Sequence, residues 1–128
     1  MKEYLATNVA SAKGVYLGVP EGALDPANSK MFPMLVVQRV GGGQDPSEAL
    51  IDLALVQITV IGKGRDSKGC YDVTADTRDA LAAIRGNTAL RSDVVAWGAE
   101  VNNVSYSPDV DGRPRYVILT QVTAAAAS

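Results

Sequence analysis

From Leu53 to Ile84 the chain reads LALVQITVIGKGRDSKGCYDVTADTRDALAAI, an apolar strand that passes through a short charged turn into an amphipathic helix. Alternation over Leu53 to Ile61 sends Val56, Ile58 and Val60 to one side of a sheet, and Leu55, Gln57, Thr59 and Ile61 to the other. The first side is wholly apolar and needs a cover. The next residues supply it: between about Lys68 and Arg85, Val73, Thr77, Ala80, Leu81 and Ile84 recur at helical spacing and form one stripe. Asp72, Asp76 and Asp79 lie outside the stripe, Arg85 falls in the last turn, and Gly86 reads as a left-handed terminator. Matched apolar faces on consecutive elements demand a helix laid on a sheet, with Val56, Ile58, Val60, Val73, Leu81 and Ile84 as the expected core.

Around this unit the remaining segments fall into place. Lys2 to Ala12 is expected to form a short helix, with Leu5, Val9 and Ala12 on one side, so that residues 1–13 are a helix or arm. Val15 to Val19 reads as a strand stopped by Pro20, and EGALDPANSK as a loop. Met34 to Val40 alternates as a second strand, with Leu35 and Val37 opposite Met34 and Val36. The triple glycine Gly41-Gly42-Gly43, with Gln44, Asp45 and Pro46, is expected to be a mobile hairpin tip or an arm that orders against a partner, because three glycines lose much conformational entropy on ordering. Asn87 to Ser92 is read as a connector. Val94 to Tyr106 is read as a strand bent or bulged around Gly98 and Asn102-Asn103, in which Trp97 is a sheet-packing or subunit-contact aromatic. Ser107 to Pro114 is a hairpin loop whose Asp111-Gly112 supplies positive φ, Arg115 to Thr123 is the last strand, and residues 124–128 are a frayed tail. The pattern predicts one α+β domain over residues 1–128, an antiparallel or mixed sheet of about five strands with helices packed on one face.

Composition narrows the function. A chain of 128 residues has no histidine, so Ser-His-Asp, Cys-His and histidine-rich metal sites are excluded, and nothing singles out two of its 14 acidic residues as a catalytic pair. No enzyme activity and no cofactor are expected. The lone Cys70 reads as a small buried apolar residue. A formal net charge of −2 with scattered cations argues against nucleic-acid binding, and no apolar run approaches a membrane span. The glycine loop lacks the lysine and following hydroxyl residue of a phosphate loop, and Asp109 and Asp111 lack the terminal glutamate of a calcium loop. A soluble, cytoplasmically made scaffold that assembles with copies of itself or with neighbours is the expectation. A small-molecule-binding α+β module is the alternative from a different class.

In order along the chain, PMLVVQRVGG, the loop with Asp45-Pro46, the Leu53 to Ile84 unit and the closing PRYVILTQVTA resemble the tail terminator proteins of long-tailed bacteriophages of the lambda type, over roughly Val15 to Ala124. The resemblance implies an α+β subunit of a homohexameric ring. Such a ring caps the tail tube, ends tail polymerisation and joins the tail to the head connector. It also implies a structural virion protein, assembled in the host cytoplasm and carried at the head-proximal end of the tail. Its partners would be itself, the major tail tube protein and the head-tail connector protein, with genomic DNA passing through the lumen unbound. Another head-tail joining protein is the nearest rival. Family members often begin with a longer N-terminal helix than the dozen residues here. Candidate subunit, tube or connector contacts are Gly41, Gly42, Gly43 and Asp45, then Lys63, Arg65 and Asp66, and then Asp109, Asp111 and Arg113.

Overall fold

The computed structural model describes residues 1–21, 30–44, 51–91, 94–108 and 112–126. The elements run α1 (Lys2–Asn8), β1 (Gly14–Tyr16), β2 (Met34–Gln44), β3 (Ile51–Ile61), α2 (Ser67–Ala82), β4 (Arg85–Arg91), β5 (Val94–Tyr106) and β6 (Arg115–Ala126). They build a six-stranded sheet in the order β1-β2-β3-β6-β5-β4. Among the described residues only β1 and β2 pair in parallel, so the sheet is mixed and the fold is α+β.

The alternation read from sequence sets the layers. Leu35, Val37, Val56, Ile58, Val60, Ile118 and Val122 point to the helix side, where they meet Tyr4, Leu5 and Val9 from the N-terminal segment and Cys70, Val73, Ala80 and Leu81 from α2. Ile84, just beyond α2, joins them, so all six expected core residues are buried. The buried threonines of α2 are satisfied locally: the hydroxyls of Thr74 and Thr77 donate to the carbonyls of Cys70 and Val73, each at 2.8 Å. On the opposite side Phe32, Met34, Val36 and Ile61 form a smaller cluster, with the Arg113 guanidinium 4.4 Å from the Phe32 ring centroid.

Several boundaries differ from the sequence reading. The first helix stops at Asn8, and Val9, at φ −118°, turns the chain away while keeping its side chain buried. The first strand is only Gly14–Tyr16, leaving Leu17 and Val19 exposed. Gly41, Gly42 and Gly43 are not a loop. They continue β2 opposite Leu55, Ala54 and Leu53, after a bulge between Arg39 and Gly41 that absorbs Val40. Backbone pairing with β3 needs no side chains, and so the glycines are held.

The main helix begins at Ser67 and ends at Ala82, short of Arg85. Ile84 bonds back to the Leu81 carbonyl, and the Thr88 hydroxyl both accepts from the Arg85 amide and donates to its carbonyl, starting β4 where a connector was expected. Gly86 therefore lies in a strand and terminates no helix. Ala124 to Ala126 are not a frayed tail either: they pair with Val94 to Ala96 of β5, and Ala124 and Ala125 also pair with β3. The irregular strand was placed correctly, since β5 shifts register between Ala96 and Gly98 and again between Val101 and Asn103. The side chain of Trp97 lies outside the described residues.

Candidate assembly surfaces

At the end of the sheet where Met34, Ile61 and Arg115 align, β3 turns into α2 through Gly62 to Asp66. Gly64 takes φ +55°, and the Asp66 amide bonds the Lys63 carbonyl at 3.0 Å. Lys63 and Arg65 project into solvent. Asp66 is committed to the fold as the helix N-cap, its Oδ1 accepting from the Gly69 amide at 2.9 Å. Gly62 is a close-packed junction. A Cβ there would stand 2.8 Å from Pro114 Cγ and 2.9 Å from Cys70 Cβ. Cys70 is buried and free, and burial, with the Asp66 carboxylate adding to it, pushes its thiol up to about 11.

The same end carries an aromatic row that the sequence reading missed. Tyr116 sits between Tyr71 and Tyr106, with ring centroids 6.2 and 5.0 Å apart. Tyr71 and Tyr106 are more than half exposed. Tyr106 and Tyr116 face each other across the β5–β6 hairpin, whereas Tyr71 comes from α2, more than thirty positions earlier, so no local spacing shows the three as a row. Nearby, Arg115 Nε donates to the Ser107 carbonyl at 2.9 Å and closes the base of the β5–β6 loop. Gly112 has the expected positive φ of 83°. Asp109 and Asp111, like Asp45, lie outside the described residues.

A third surface lies along the outer edge of β2. The short β1 pairs only with Met34 to Val36, so among the described residues the outer edge of β2 from Val37 to Gln44 has no strand beside it. Leu17, Val19 and Val40 are 66%, 50% and 48% exposed. Beside this edge a groove of about 430 Å³ is bordered by the start of α1, by Val37 and Arg39 of β2, by Val56 and by Leu90 of β4. Leu90 can share this groove with Val37 because the sheet curls, and α1 contacts both β1 and β4. Of the predicted contact residues, Lys63, Arg65 and Asp66 share one turn and Gly41 to Gly43 one strand, while Arg113 packs on Phe32. Among the described residues no three His, Cys, Asp or Glu side chains are grouped to hold a metal, and no helix is long and apolar enough to cross a membrane.

Comparison with known proteins gives a consistent picture. The model of a phage tail termination protein family matches residues 2–103. A chain from the virion of a native gene transfer agent particle superposes with a TM-score of 0.56 at 18% identity, over 96% of this chain and 84% of that one. At that identity the likeness speaks for the fold. No curated protein matches the sequence.

Proposed function

Because the chain belongs to the phage tail termination protein family, whose members are structural tail proteins, we propose that it forms a homohexameric ring that caps the tail tube, ends its polymerisation and provides the joint to the head connector. The family match across most of the chain carries this reading. It is supported by a surface whose exposed features suit protein contacts: a strand edge with no neighbour among the described residues, two tyrosines more than half exposed, and a solvated turn bearing Lys63 and Arg65.

A closed ring of identical subunits uses a heterologous contact, one patch against a different patch on the next copy. DNA traverses such a ring without adhering when acidic or neutral groups line the lumen, in keeping with the net charge of −2. The test is reconstitution: purified chain added to elongating tail tubes, followed by electron microscopy. Rings at the tube ends and tubes of fixed length are the expected result. Tubes that elongate unchanged in the presence of excess protein would overturn the reading.

A further inference from the structure

We draw no further inference here: the strongest candidate, the groove between the start of α1, the outer edge of β2 and Leu90 of β4, is an unpartnered surface, and nothing in the structure shows what covers it.

Discussion

At Gly62 the chain has no room for a single added carbon. The position is fixed by contact on two sides, Pro114 just before β6 and Cys70 from the first turn of α2, so an added methyl must displace backbone-anchored atoms. Gly62→Ala is expected to destabilise the fold by about 1–3 kcal/mol, the usual scale of overpacking, and a melting curve equal to wild type would show that the junction yields. Cys70, on the other side of that contact, makes stability depend on pH. Its thiol keeps its proton to about 11 in the folded chain against an ordinary 9.0, so above pH 9 the unfolded chain releases a proton that the folded chain retains. Stability from this group is therefore complete below pH 9 and lost as the pH climbs toward 11. Wild type should lose stability over that interval faster than Cys70→Ala does, by about 2 kcal/mol at the upper end, and parallel denaturation curves would contradict it. The native thiol should also resist alkylation at neutral pH.

The elements show what periodicity can and cannot reveal. Val56, Ile58, Val60, Val73 and Leu81 were legible because strand and helix repeats are local properties, and each landed on the face its spacing assigned. Element ends depended on partners distant in sequence. Gly41 to Gly43 look like a loop until β3 is placed beside them, and Ala124 to Ala126 look frayed until β5 pairs with them. The start of β4 at Arg85 is held by Thr88, whose hydroxyl bonds both the amide and the carbonyl of Arg85, a contact that no helix rule consults. Tyr4 is a similar case: its hydroxyl donates to the Ala80 carbonyl at 2.6 Å and ties α1 to α2, a contact across 76 positions. These links give graded expectations. Leu81→Asp places a carboxylate where a fully buried leucine contributes about 1.5–3 kcal/mol, and should leave the chain unfolded or insoluble. Asp66→Ala removes only the N-cap of α2 and should cost about 0.5–2 kcal/mol with the fold intact. Circular dichroism during thermal melting separates the two; equal effects would mean that the helix is not held by its buried stripe.

For the whole molecule, a tail-capping ring needs contacts of two kinds, around the ring and along the tail axis. On the proposed ring reading, the end of the sheet bearing Tyr71, Tyr106 and Tyr116 is the surface we assign to an axial partner, tube or connector. Tyrosines suit that role, since they bring a large contact area with few rotors to order and combine an apolar ring with a hydroxyl. Neither Tyr71 nor Tyr106 is needed for the core, because each is more than half exposed. Tyr71→Ala with Tyr106→Ala should therefore shift the melt by less than about 1 kcal/mol and leave ring assembly unchanged. The same variant should fail in one of two separate assays, arrest of tube elongation or attachment of filled heads, and the assay that fails identifies which partner the aromatic end meets. If both assays proceed as in wild type, the axial contacts lie elsewhere and the tyrosine row serves only to pack α2 against the ends of β5 and β6.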